Sequence, residues 1–316
     1  MTIRTFRNSD PPHLVRLWNQ QPPTIGRLQP LTVRALDDTA LAKLYFEPRG
    51  LLVAEHDERA VGYIHAGFAP TADGAQLDRS RGCISALVVA PTSNADETAR
   101  QLLAAAEEYL RRAGAKSVCA GAPGPVDPFY LGIDGGSRGE GAPTDDPRLI
   151  PWFVAAGFAE AGSRTIWRRS LSGYRPPVER ALSNWLRTTQ VERTAELGAR
   201  SWYDAGTLAQ RERWSFRLTS RSSPARQGRI EWWDMQPLAD ARGERMAGWS
   251  ELTLDAAAWT DGLAKFLISD SLRRLREAGC TLAEAQVGDD LPPFAAMLNA
   301  LGFESVAEKR LLSKEL

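Results

Sequence analysis

The sequence predicts an α/β fold with a mixed sheet, built as two copies of one plan. Strand-like and helix-like segments alternate along all 316 residues, one strand–loop–helix–strand order occurs in both halves, and spacing within the copies agrees. In the first half, Leu87-Val88-Val89-Ala90-Pro91 ends a strand and Ala99 to Arg112 forms a helix stopped by Ala113-Gly114. The apolar strand Val118-Cys119-Ala120 follows, and a later helix ends at Ala156-Gly157-Phe158. In the second half, Glu251-Leu252-Thr253-Leu254 leads to the helix Ala264 to Glu277, then Ala278-Gly279, the strand Cys280 to Val287 and Leu301-Gly302-Phe303. Val89 precedes Ala99 by as many residues as Leu254 precedes Ala264.

Taken in order, Ile3 to Phe6 alternates like a strand and Pro12 to Asn19 starts a short helix. Ala35 to Phe46 has helical spacing of leucine and alanine. Gly50 to Glu55 and Ala60 to Phe68 read as two arms of a hairpin around the polar turn His56 to Arg59. A loop, Thr71 to Arg81, precedes the strand Cys83 to Val89, and the helix crossover that follows makes a mixed sheet. The long Gly/Pro-rich stretch Gly121 to Asp146 contains Phe129, Tyr130 and Leu131, which argue for an ordered loop. Ile166 to Leu171 is a terminal strand, and Ser172-Gly173-Tyr174-Arg175-Pro176-Pro177 is the expected boundary, giving domains 1–173 and 178–316. Ala181 to Thr188 and Gly206 to Trp214 look helical, and Ser220 to Gly228 looks like a loop. Ile230 to Met235 and Met246 to Leu254 form a hairpin, and Glu308 to Ser313 is the last strand.

The length suits two domains of about 150 residues, each with its own core. Lysine plus arginine and aspartate plus glutamate stand at 39 each, so net charge argues for neither nucleic acid nor membrane. Arg111-Arg112, Arg168-Arg169 and Arg273-Arg274 read as solvated faces without the aromatic platforms that single strands need. No apolar run approaches the roughly 20 residues of a membrane helix, and Met1-Thr2-Ile3-Arg4 lacks the features of a signal peptide. A cytoplasmic location is expected. Cys83, Cys119 and Cys280 lack metal or disulfide spacing, and the histidines, His13, His56 and His65, are too scattered for a metal cluster.

The order strand, V-x-P, loop, helix, Ala-Gly, strand, helix, Gly-Phe, strand resembles the GCN5-related N-acetyltransferase (GNAT) superfamily. Two copies in one chain resemble its tandem members. The resemblance implies acetyl-CoA as co-substrate, no metal, and a primary amine of a small molecule or peptide as acceptor, in a monomer or homodimer. The loop after the fourth strand carries Q/R-x-x-G-x-G/A in that family, whose backbone N–H groups cradle the diphosphate. Glycine lets the backbone approach phosphate oxygens, and a helix N-terminus favours their charge.

In the second copy Trp259-Thr260-Asp261-Gly262-Leu263-Ala264 aligns with that loop, so Leu252, Leu254 and the run Trp259 to Lys265 are the expected cofactor contacts. Gly262 and Ala264 fit the pattern. In the first copy Asn94-Ala95-Asp96-Glu97-Thr98-Ala99 replaces the glycine by Glu97 and sets carboxylates where a diphosphate should sit, so its helix is expected to be capped by its own side chains. The second copy is therefore the expected cofactor site.

Acetyl transfer needs a base for the ammonium proton and a donor for the departing thiolate. The tyrosine that often serves as donor in the family is replaced at the matching positions by Phe153 and Leu298. Tyr130 is the expected substitute hydroxyl in the first copy, with His65 and Asp127 as further possibilities. Glu251 is the expected base, and Glu231 and Asp234, beside Trp232 and Trp233, are expected to line the same groove. The expected function is acetyl-CoA-dependent N-acetyl transfer; a weak or inactive acyl-CoA- or amine-binding regulatory protein is the alternative.

Overall fold

The structure, a computed structural model, describes residues 1–92, 94–121, 128–194, 199–208, 211–221, 227–236, 238, 240 and 243–316. In chain order the elements are β1 (Thr2–Thr5), α1 (Pro11–Asn19), α2 (Val33–Leu36), β2 (Leu51–His56), β3 (Arg59–Pro70), β4 (Leu77–Val89), α3 (Ala95–Arg112) and β5 (Ser117–Ala120). Next come β6 (Ala142–Pro143), α4 (Leu149–Ala155), β7 (Ala159–Ser170), α5 (Arg180–Thr188), β8 (Thr189–Thr194), α6 (Trp202–Leu208), β9 (Arg213–Ser220) and β10 (Gln227–Asp234). The chain closes with β11 (Met246–Leu254), α7 (Leu263–Glu277), β12 (Leu282–Gly288), α8 (Pro292–Ala300) and β13 (Glu304–Glu315). It folds as two compact units, one of residues 1–164, 199–209 and 307–316, the other of 165–198 and 210–306. The units are discontinuous in sequence: the chain's last residues belong to the first unit, and the Ser172–Pro177 segment lies inside the second.

In the first unit β1 to β4 pair antiparallel in succession, β5 runs parallel to β4, and β13 runs antiparallel to β5. Asp57 and Glu58 take φ of 48° and 61° at the tip of the β2–β3 hairpin, the backbone sign that a two-residue turn needs to match strand twist. On α3, Ala99, Leu102, Leu103, Ala106 and Leu110 fall on one stripe and bury against the sheet, the spacing of a one-sided helix.

In the second unit β8 to β11 are antiparallel and β12 runs parallel to β11. Trp214, Phe216 and Leu218 of β9, Ile230 and Trp232 of β10, and Ala247 and Trp249 of β11 belong to one core with α7. The Trp232 indole donates to Ser271 Oγ on α7 at 3.2 Å. Trp233, its neighbour on the strand, is buried as well.

Four segments differ from the sequence expectation. Gly206 to Trp214 is not one helix: α6 ends at Leu208 and Arg213 already begins β9, because Trp214, Phe216 and Leu218 enter the core at the two-residue period of a strand. Ala35 to Phe46 is helical only to Leu41, as a wide turn after α2, and the chain then turns so that Tyr45 is buried. The Thr71–Arg81 loop is shorter, since Leu77 and Asp78 pair with Pro70 and Ala69. Helix α3 starts at Ala95, four residues before its apolar stripe shows itself in the sequence.

Lys314 of β13 ties the first unit together. Its Nζ donates to both Glu107 oxygens, at 2.8 and 2.7 Å, and to the Ala156 carbonyl at 2.7 Å. Lys314→Met leaves the nearly buried Glu107 with Arg111, 3.9 Å away, as its remaining cation. We expect a loss of about 1.5–3 kcal/mol in unfolding free energy, the range for charged hydrogen bonds, read by chemical denaturation. An unchanged midpoint would refute this role.

Candidate functional site

Each unit contains a parallel strand pair that parts company. β4 pairs with β5 from Arg81/Ser117 to Ile84/Ala120, and β4 then runs on alone past β5. β11 pairs with β12 only from Met246/Leu282 to Gly248/Glu284, and again both strands continue beyond. Each divergence coincides with a bulge. The β3–β4 register skips Ser85, and the β10–β11 register skips Ser250. An extra residue bends a strand and sharpens its twist, which carries the strand away from its parallel neighbour. Ser85 and Ser250 are separated by the same interval as Ala99 and Ala264; that matched pair of serines was legible in the repeat, but its meaning was not.

The two openings are furnished differently. In the first unit the 128–143 segment lies across the gap. Gly139, Gly141, Ala142 and Pro143 join Ile84 to Val88 as walls of a cavity of about 40 Å³, together with Arg27, Asp134, Phe153 and Lys309. Close approach is enforced, since a Cβ on Gly121 would lie 2.3 Å from the Gly141 nitrogen. Arg27, Asp134 and Lys309 were not anticipated, and they are scattered across the sequence.

The first-copy helix start matches the expectation only in part. Asp96 and Glu97 do lie in the first turn of α3, but no side chain caps it at Asn94. Asp96 instead accepts from the Trp152 indole at 2.7 Å, and Glu97 accepts from Arg100 and Gln101.

In the second unit Trp249 packs on Phe294 at 4.6 Å between ring centroids, and Trp259 lies 6.3 Å from the same ring. Asp255 caps the short turn Ala256–Trp259 by accepting from the Ala258 N–H. Gly262, with φ of 86°, is the left-handed residue at the start of α7, a backbone state that glycine adopts without strain. Of the expected contacts, Leu263 and Ala264 have fully buried side chains, while Leu252, Leu254 and Trp259 pack partly buried on the core. These residues can offer a ligand mainly backbone. Asp261 accepts from the Leu263 N–H at 3.0 Å, its carbonyl accepts from the Trp185 indole at 3.0 Å, and Lys265 pairs with Glu179 at 2.5 Å. Thr260 is exposed.

The carboxylates divide. Glu231 and Glu251 are direct cross-strand partners, and Arg229 bridges them at 3.2 Å to each. Glu231 is buried and accepts from Ser215; Glu251 keeps 40% of its side chain in solvent. Asp234 is not with them. It pairs with Arg245 at 3.2 Å near Glu212, and burial pushes its carboxyl above the ordinary range.

Tyr130 is buried, with φ of 61°, and stacks on Trp18 at 5.7 Å. Its hydroxyl lies 3.0 Å from His65 Nδ1. It does not line the cavity at the β4–β5 gap. His65 is fully buried under Phe129, and desolvation lowers it to about 3, so it is neutral at neutral pH. Phe153 and Leu298 are buried in their respective cores. Asp127 lies outside the described residues.

Residues 13–124 match the family model described as Acetyltransferase (GNAT) family. The tandem GNAT protein from the clavulanic acid biosynthesis pathway superposes with a TM-score of 0.63 at 16% identity, over 99% of this chain and 98% of that one. The chain has the fold of tandem GNAT proteins. The GCN5-related N-acetyltransferase of Sphaerobacter thermophilus gives a TM-score of 0.67 at 12% identity, over 99% and 95%. A fungal glucosamine N-acetyltransferase region within a multi-domain β-N-acetylglucosaminidase gives 0.71 at 15%, over 99% of this chain and 38% of that one. No curated protein matches the chain. The tandem GNAT fold is one that supports acyl-CoA-dependent N-acetyl transfer in general. Among the described residues no helix is long and apolar enough to cross a membrane, and no group of three or more His, Cys, Asp or Glu is placed to hold a metal.

The burial of His65 sets a pH dependence. Its value falls from 6.5 in the unfolded chain to about 3 in the fold, so between those limits the unfolded chain binds the extra proton. Stability from this group is complete above about pH 6.5 and is lost as pH falls toward 3, by at most about 1.4 kcal/mol per pH unit. Denaturation midpoints measured from pH 7 to pH 4 should fall less steeply in His65→Gln than in the wild type. Parallel slopes would remove His65 as the source.

Proposed function

We propose that this tandem GNAT protein is an acetyl-CoA-dependent N-acetyltransferase for a primary amine of a small molecule or peptide, with its CoA site in the second unit. The observation that carries this reading is Gly262, left-handed at the start of the fifteen-residue helix α7, on the loop that follows the diverging strand β11. A helix N-terminus presents orphan N–H groups and partial positive charge to an anion. Leu252, Leu254 and residues 259–265 supply the backbone around the thioester arm and diphosphate, with Lys265 as the cation. The first unit suits the ligand less well, because the 128–143 segment occupies its gap and carboxylates begin its helix.

The amine nitrogen attacks the thioester carbonyl, the carbon–sulfur bond breaks, and the acetyl group passes to nitrogen. Glu251, half exposed on β11, is the base that takes the amine proton, with Arg229 fixing its carboxylate. The departing thiolate takes its proton from water, because Leu298 leaves the second unit's family position without a hydroxyl, and Tyr130 belongs to the first unit.

The alternative is a tandem GNAT protein that binds acyl-CoA or an amine with little or no turnover. It is favoured by Phe153 and Leu298, which leave both family tyrosine positions without a hydroxyl.

Thermal shift with acetyl-CoA tests the site. At a hundred times its dissociation constant the ligand should add about 2.7 kcal/mol of stability. Gly262→Glu should abolish the shift, and its persistence would move the site elsewhere. For turnover, Glu251→Gln should lower kcat by about 10²–10⁴, the usual contribution of a general base, as measured by CoA-thiol release with an amine panel. A fall in kcat in Tyr130→Phe would instead place the chemistry in the first unit, where that hydroxyl lies. A CoA shift without thiol release from any amine would favour the binding protein.

A further inference from the structure

The groups that would receive a diphosphate in the second unit are already engaged by the protein, and one short helix supplies most of the occupants. Glu179, at the start of α5, pairs with Lys265 at 2.5 Å. Trp185, one helical face further on, donates its indole N–H to the Asp261 carbonyl at 3.0 Å. Ala181 stands close beside the cradle glycine, its Cβ 3.4 Å from where a Cβ on Gly262 would lie. A diphosphate and the Glu179 carboxylate cannot both neutralise Lys265 without repelling each other across a few ångströms.

The same helix is lightly held. Leu182 is its one buried residue, Leu186 is 67% exposed, and Val178 just before the helix is 98% exposed. An open pocket of about 270 Å³, lined by Pro177, Leu182, Leu186 and Phe266 among others, lies beside α5 and α7. The two ends of the helix are unlike. Its C-terminus runs directly into β8, whose Thr189 pairs with Ser220 and donates its hydroxyl to the Trp185 carbonyl at 2.5 Å. Its N-terminus follows Arg175-Pro176-Pro177-Val178, an arm whose prolines fix an extended course, anchored upstream where Arg276 donates to the Tyr174 carbonyl. The helix can therefore pivot about Thr188–Thr189 while its first turn leaves the cradle.

We propose that α5 is an internal gate over the diphosphate cradle, and that CoA binds the second unit when α5 swings off the N-terminus of α7. The proposal rests on the assignment of CoA to Gly262. Glu179 acts as a built-in competitor for Lys265, and the indole bond at Asp261 latches the first turns in place. The free energy of the closed contact is subtracted from the affinity, because only the open fraction binds.

The test uses the full-length protein, with CoA as the titrant in calorimetry. Glu179→Gln removes the competing charge, and Trp185→Phe removes the latch while keeping an aromatic ring. Each variant should bind CoA more tightly than the wild type, and the pair together by five-fold or more. Hydrogen exchange supplies an independent readout: saturating CoA should speed exchange in residues 180–188, whereas a helix that merely closed over the ligand would be protected. CoA binding of unchanged or weakened affinity in both variants, or protection of α5, overturns the gate and leaves the Gly262 site standing. An absence of CoA binding in the wild type and in every variant overturns the site, and the gate with it.

Discussion

A parallel strand pair that stops pairing leaves backbone N–H and C=O groups facing a gap, and those groups must find partners. Both units meet this constraint at the same place in the repeat, just past Ile84/Ala120 and Gly248/Glu284. The cause is local. A single skipped serine in each unit, Ser85 or Ser250, bends the longer strand out of register with its neighbour. Everything that distinguishes one unit from the other follows from how the resulting opening is filled.

The first unit answers with its own chain. Residues 128–143 cross the gap, five glycines from Gly132 to Gly141 take positive φ to fit it, and Lys309 from β13 joins the same wall. That arrangement stabilises the unit without any ligand. In the second unit, among the described residues, Trp249, Trp259 and Phe294 cluster together and a left-handed glycine stands at a helix start. A helix N-terminus satisfied by Asp261 and α5 is provisional in a way that a loop-filled gap is not, because the occupants are charged groups that an incoming anion can replace.

The repeat, the hairpins, the two long helices and the Gly262 loop were legible because each rests on short-range chemistry: period, turn residues and helix punctuation. The errors fell where long-range packing decides. Gly206 to Trp214 carries no local signal against a helix, yet Trp214 belongs to a strand because the β9 core needs it there. The assignment of the C-terminal residues to the first unit has no local signature either, since the lysine that anchors β13 meets Glu107 only after folding. Among site residues, Glu231 and Glu251 could be placed side by side because they face each other across the hairpin. Asp234 could not be excluded by the same reasoning, since the Arg245 contact that removes it is set by where the hairpin ends.

On the proposed assignment of CoA to the second unit, the asymmetry between the copies is a consequence of fold economy rather than of decay alone. A repeat unit that must bind CoA has to keep its gap and helix start exposed, and so must tolerate unsatisfied backbone and uncompensated dipole when empty. A unit relieved of that duty can close the gap with chain and begin its helix with carboxylates, as Asp96 and Glu97 do in α3. Each change favours the empty state and disfavours the anion. The second unit retains the permissive geometry and meets its cost with replaceable contacts, Asp261 on Leu263 and Glu179 on Lys265. Its stability should therefore respond to an anionic ligand, whereas that of the first should be set by packing.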